Sequence, residues 1–145
     1  VDNMQRLLRK FETAKALVPA PVIRRAAEPA RAGAIWYGST GAAMAESLAE
    51  LAKEGVHLDQ MRIRAFPFAD AVAEFIAEHE HVFVVEQNRD AQLKMMLVNE
   101  CGIDPQKLIS ILHYDGNPLT ERFVTREIAE QARLFNVTPL RKVAR

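Results

Sequence analysis

The sequence predicts an α/β fold: a mainly parallel sheet with helices on both faces. Three observations carry this. Short apolar strand signals alternate along the chain with segments of helical periodicity, in the order β-α-β-α-β-α-β-α behind a first helix, and alternation of that kind builds parallel sheets with crossover helices. The run Val82-Phe-Val-Val85 is β-branched or aromatic throughout and shows no polar alternation, as expected of a central strand covered on both sides. Ala34-Ile-Trp-Tyr37 passes at once into Gly38-Ser39-Thr40-Gly41 and then into helical spacing, a strand, turn and helix.

Taken in order, residues 2–17 place Met4, Leu7, Leu8, Phe11 and Ala14 on one helical stripe. Pro19 and Pro21 stop that helix. Residues 18–32 read as an extended connection with a short strand at Val22-Ile23. The strand at 34–37 follows, then a helix with Met44, Leu48 and Leu51 on its inner side, ending at Gly55. Met61 to Ala65 alternates as a strand and Phe66-Pro67-Phe68 ends it. Val72, Phe75 and Ile76 form the apolar face of a short helix. The strand at 81–85 precedes a helix with Leu93, Met96 and Leu97 inward, Asn88 as its cap, Asp90 facing its dipole and Gly102 at its end. Asp104-Pro105 starts a brief helical turn. Leu108 to Leu112 is the next strand and His113 to Pro118 a turn-rich loop. The last helix starts at Asn117-Pro118 with Val124, Ile128, Ala132 and Phe135 on one stripe. The tail from Thr138 to Arg145 is basic and expected to fray.

The chain has 145 residues, enough for one domain with a core. Its 19 Lys and Arg balance 19 Asp and Glu, which argues against a broadly basic nucleic-acid surface. No apolar run approaches the roughly 20 residues of a bilayer span, and the first residues lack the apolar core of a signal peptide. Cys101 is the single cysteine. It excludes an intramolecular disulfide, suits the cytoplasm, and cannot by itself hold an iron–sulfur cluster. Its place before Gly102 suits a small structural hydrophobe. Val1 is not an initiator methionine, so the chain is expected to be a piece of a longer protein, with a processed terminus as the alternative.

Parallel strands would gather three polar loops, 38–41, 86–90 and 113–117, along one sheet edge, where α/β folds bind ligands. Gly38, Ser39, Thr40 and Gly41 are read as a tight turn with a hydroxyl helix cap, or as a contact for phosphate or another anion at the helix N-terminus. The turn is neither a lysine-bearing phosphate loop nor a complete dinucleotide fingerprint. Glu86, Gln87, Asn88 and Gln92 are read as a hydrogen-bonding surface at a domain or subunit contact, with ligand contact or helix capping as alternatives. Glu86, ending a buried strand, needs an Arg, a Lys or backbone N–H beside it. His79 and His81 straddle a helix–strand junction as packing residues or a metal pair. His113 lies near Asp115 as a turn partner or a base. No nucleophile–base constellation is evident.

The ordered segments WYGST (36–40), RIRAFPF (62–68), HVFVVEQNRDAQL (81–93) and LHYDGNPLT (112–120) resemble the C-terminal domain of the alpha subunit of 2-oxoacid:ferredoxin oxidoreductases, the 2-oxoglutarate type most closely. The opening LLRKFETAKALVPAPV (7–22) is similar to the connector leading into that domain. VVEQNRDAQL is the most specific part. The resemblance implies a transketolase C-terminal-like three-layer α/β/α sandwich with a mixed five-stranded sheet, one strand antiparallel, the extra strand being Val22 to Arg24. It implies residues 1–30 as helix and connector and 31–145 as the domain. Such enzymes decarboxylate a 2-oxoacid on thiamine diphosphate with Mg2+, form an acyl-CoA, and pass electrons through iron–sulfur clusters to ferredoxin. In them the thiamine and the clusters are held elsewhere, in other domains and in a thiamine-binding beta subunit. Gly38, Ser39, Thr40, Glu86, Gln87, Asn88 and Gln92 match family positions, with no catalytic step implied for any of them. The domain alone is expected to be inactive, to bind no cofactor, metal, nucleic acid or membrane, and to self-associate if a contact face is left uncovered. A free-standing module that binds a phosphate-bearing metabolite, or that serves dimerisation, is the alternative.

Overall fold

The computed structural model describes residues 1–137; the basic tail lies outside the described residues. Ten helices and strands, with two short 3-10 turns between them, make up the described residues: α1 (Asp2–Lys15), β1 (Val22–Arg24), β2 (Ala32–Tyr37), α2 (Gly41–Lys53), β3 (Leu58–Ile63), α3 (Asp70–Glu78), β4 (His81–Glu86), α4 (Gln92–Cys101), β5 (Leu108–Leu112) and α5 (Glu121–Leu134). The turns are Gly38–Thr40 and Pro105–Lys107. The five strands form one sheet in the order β1-β3-β2-β4-β5. β1 runs antiparallel to β3, and the other pairs are parallel. The fold is a three-layer α/β/α sandwich with a mainly parallel, mixed sheet.

β4 shows why its sequence carries no alternation. Phe83 and Val85 enter one core, packed with Met44, Leu48 and Leu51 of α2 and Val124 and Ile128 of α5. Val82 and Val84 enter the other, packed with Val72, Phe75 and Ile76 of α3 and Leu93 and Leu97 of α4. A strand in mid-sheet has no solvent face, so both sets of side chains are apolar. α1 stands apart: none of its residues is buried, and the Phe11 ring lies 6.1 Å from that of Phe66, which abuts Phe68 at 5.3 Å. Cys101 lies half-buried beside α1, and burial pushes its thiol up. Among the described residues no helix is long and apolar enough to cross a membrane.

Several element boundaries differ from the sequence reading. β3 begins at Leu58 rather than Met61, because Leu58 and Asp59 continue the parallel register opposite Ala32 and Gly33. It ends at Ile63, two residues before the expected Ala65. α5 starts after Thr120, whose hydroxyl oxygen accepts from Phe123 N–H at 3.3 Å. Asn117 is instead drawn into a turn in which its N–H donates to Asp115 Oδ1 at 2.9 Å. Phe135 lies beyond the end of α5, partly exposed, with its ring 4.8 Å from His81.

Gly33 in β2 is required by close approach. A Cβ there would lie 2.7 and 2.8 Å from two ring atoms of Phe75, itself 1% exposed and unable to yield. Gly33→Ala is therefore expected to destabilise the fold by about 1–3 kcal/mol through overpacking, measured as a lower urea midpoint with unchanged slope.

Candidate functional site at the strand carboxyl ends

The chain leaves β2 towards β3 on one side and leaves β4 towards β5 on the other. α2 covers one face of the sheet and α4 the opposite face. The crevice between the carboxyl ends of β2 and β4 is thus the switch point of this topology, the place where open α/β sheets receive ligands. The turn 38–41 and the loop from Glu86 to Gln92 meet there. Gln87 Nε2 donates to Ser39 Oγ at 3.3 Å and to Thr40 Oγ1 at 3.2 Å. Residues 47 and 48 positions apart are brought together by the parallel pairing of β2 with β4.

Neither hydroxyl caps α2. Thr40 occupies the cap position in helical conformation, and no side chain bonds the first turn. Thr40 is buried and Ser39 exposed. Gly38 has φ +61°, in the left-handed region, where a glycine lets β2 turn sharply into the helix.

Glu86 is fully buried. Its Oε2 accepts from Leu93 N–H at 2.7 Å and from Asn88 Nδ2 at 2.7 Å, and its Oε1 accepts from Lys94 N–H at 3.2 Å. The partners the sequence demanded for it are the backbone donors of the first turn of α4. Ala91 sits at the cap position with φ +51° and no polar side chain. Capping therefore falls to Glu86, and to Asn88, whose Oδ1 accepts from Gln92 N–H at 3.2 Å and Asp90 N–H at 3.1 Å. Asp90 turns to Arg89 at 2.7 Å. Glu86 thus presents no polar edge outward; Gln87 and Gln92 are the exposed members of the motif. Gln92 borders a groove of about 390 Å³ with Tyr37, Phe66, Phe68 and Met96.

The third loop joins this edge through His113 N–H, which donates to the Glu86 carbonyl at 3.1 Å. The His113 ring packs against Phe123 at 4.8 Å, with Nε2 3.3 Å from Asp115 Oδ1. Asn117 holds Asp115 below the usual carboxylate range, chiefly through its backbone N–H. His79 is at the other end of the sheet, Nδ1 2.6 Å from the Phe75 carbonyl and Nε2 3.2 Å from Asp59 Oδ2. Among the described residues no three His, Cys, Asp or Glu side chains converge as a metal site.

Sequence reasoning missed Arg24, Trp36 and Arg62 as neighbours of the 38–41 turn. They line a pocket of about 350 Å³ with Ser39, Gly41 and Gln60. The alternation in Met61 to Ala65 put Arg62 on one face of a strand, but only the pairing of β1 with β3 sets it beside Arg24.

No family model matches the chain, and no curated protein matches it. Solved structures do. A chain of 2-oxoglutarate:ferredoxin oxidoreductase from Magnetococcus marinus, with 2-oxoglutarate, coenzyme A and succinyl-CoA bound, superposes with a TM-score of 0.72 at 23% identity, over 83% of this chain and 21% of its own. The alpha chain of a probable 2-oxoacid ferredoxin oxidoreductase from Thermoplasma acidophilum superposes with a TM-score of 0.53 at 24% identity, over 79% of this chain and 97% of its own. This chain spans about a fifth of the Magnetococcus chain and nearly the whole of the Thermoplasma one. It shares its fold with chains of 2-oxoacid:ferredoxin oxidoreductases.

Proposed function

We propose that residues 31–145 are the transketolase C-terminal-like domain of the alpha subunit of a 2-oxoacid:ferredoxin oxidoreductase of the 2-oxoglutarate type, with residues 1–30 as the connector into it. The observation that carries this reading is the superposition over 83% of the chain on part of an oxoglutarate enzyme, which agrees with the ordered motifs from WYGST to LHYDGNPLT. The domain serves subunit assembly and shapes the approach of oxoacid and CoA. Its neighbours are the remaining alpha-subunit domains and a thiamine-binding beta subunit, with ferredoxin reached through the complex, in the cytoplasm.

The side chains present supply neither the thiolates of a cluster nor a free carboxylate at the strand ends. One cysteine cannot ligate an iron–sulfur cluster, and the best-placed carboxylate at the strand ends, Glu86, has its oxygens taken up by three donors. The reading assigns thiamine diphosphate, Mg2+ and the clusters to other parts of the complex, and it routes no step of the reaction through this chain.

Two measurements test the reading. The coding sequence upstream of residue 1 is expected to encode a pyrimidine-binding thiamine domain. The purified chain is expected to show no oxoacid-dependent reduction of ferredoxin and to retain no thiamine diphosphate. A chain that turned over an oxoacid by itself would overturn it, and a reading frame that starts near Val1 would overturn the placement of a thiamine domain upstream.

A further inference from the structure

Beyond the Gly38–Gly41 turn, on the side away from Gln87, lies the pocket of about 350 Å³ between the β1–β3 edge and the first turns of α2. In the antiparallel register Val22 faces Arg62 and Arg24 faces Gln60. Alternate residues share a face of a sheet, so Arg24, Gln60 and Arg62 leave it together, on the side where Trp36 lies opposite Arg62. Trp36 is 6% exposed, and its Nε1 is buried with no hydrogen-bond partner among the described residues. An indole N–H can only donate, and a buried donor left unmatched keeps its full desolvation penalty.

Gly41 lies close to this donor and to a second one. A Cβ built there would lie 3.6 Å from Trp36 Nε1 and 3.9 Å from Arg62 Nε. Two N–H donors thus flank the start of α2. α2, 13 residues long, brings the positive end of its dipole to the same place, with no acidic residue in its first turn. Among the described residues the arginine ion pairs are those of Arg25, Arg31, Arg89 and Arg126. Arg62 makes one long bond, 3.4 Å, to the Gly38 carbonyl. No carboxylate lines the pocket.

We propose that this pocket binds the phosphate group of a phosphate-bearing metabolite. Donors arrive from a strand edge, an indole and a helix N-terminus, three separate directions. That suits a tetrahedral dianion better than a planar carboxylate, for which one arginine fork suffices. Val22, Ala42 and Ala45 supply an apolar wall for the remainder of the molecule. The site does not rest on the proposed enzyme family: a phosphate anchor serves a domain of a complex or a free-standing module alike, and its failure would leave that reading in place.

Trp36 is the only tryptophan, so its indole N–H gives a single cross-peak in a 15N-labelled sample of the chain. Titration with inorganic phosphate at constant ionic strength is expected to move that peak saturably, and succinate at equal concentration to leave it in place. Arg62→Gln is expected to weaken phosphate binding about 10-fold or more, as loss of a charge-assisted bond does. Gly41→Ala is the sharper variant. Its backbone is already helical at φ −59°, its methyl meets only ordinary contacts, and it narrows the approach to both donors, so a well-dispersed spectrum with clearly weakened binding is expected. An indole peak that stays still or drifts without saturating overturns the proposal. So does unchanged affinity in both variants, or an equal response to succinate.

Discussion

Glu86→Ala is expected to lower the unfolding free energy by about 2–4 kcal/mol, because it leaves buried donors without their acceptor and a large side chain's volume unfilled. Three donors converge on this carboxylate, two of them backbone N–H groups of the first turn of α4 at 2.7 and 3.2 Å. Helix N-termini leave such donors unpaired, and a cap of this kind normally comes from the residue just before the helix. Ala91 holds that position and offers nothing. Truncating Glu86 removes the acceptor and leaves the volume of a fully buried side chain unfilled. Glu86→Gln separates these effects. It keeps the volume but presents an NH2 group to at least one donor, and a loss of about 1.5–3 kcal/mol is expected. Urea titration measures both variants, and hydrogen exchange at the Leu93 and Lys94 amides locates the damage. If Glu86→Ala unfolds within roughly 1 kcal/mol of the parent with those amides still protected, Glu86 is not the cap of α4.

The demand that Glu86 be matched was legible in the sequence, because a carboxylate at the end of an apolar strand cannot go unpaired. The identity of its partners was not, since Ala91 gives no sign of adopting a left-handed turn that aims the next amides back at the strand. Val82 to Val85 announced a central strand for a similarly local reason: both faces needed apolar side chains. β1 was half legible. Val22 and Ile23 are β-formers, but all three of its residues are exposed, so no burial pattern marks it, and its strand character comes from β3. The same dependence hid the pocket, for Arg24 and Arg62 become neighbours only through that pairing. Ser39 and Thr40 looked like helix caps because hydroxyls before a helix usually are. The parallel pairing of β2 with β4 instead brings Gln87 to them, 48 and 47 residues away.

Non-local contact also conceals the role of Asp59, whose replacement by Ala is expected to cost about 2–4 kcal/mol near neutral pH. Asp59 Oδ1 accepts from Ala26 N–H at 2.8 Å and Oδ2 accepts from Arg25 Nη1 at 2.7 Å, with His79 Nε2 at 3.2 Å. One carboxylate thereby fastens the segment after β1 to β3 and to the end of α3. Burial pushes its pKa up, but the Ala26 N–H, Arg25 and His79 together outweigh burial and hold the carboxyl below its ordinary value. A group whose pKa is depressed by folding stabilises the protein above its unfolded pKa, and that contribution fades as pH falls through the folded value. Asp59→Asn keeps the shape and removes the titration. The stability gap between parent and variant should therefore be widest near neutrality and close progressively below about pH 4. Arg25 is half-exposed, so solvent screens its share, and added salt should narrow the gap only modestly. A gap that stays constant from neutral to acid pH would assign the effect to lost hydrogen-bond geometry rather than to charge, because the asparagine differs from the aspartate in this site only through the proton it cannot exchange and the donor it brings.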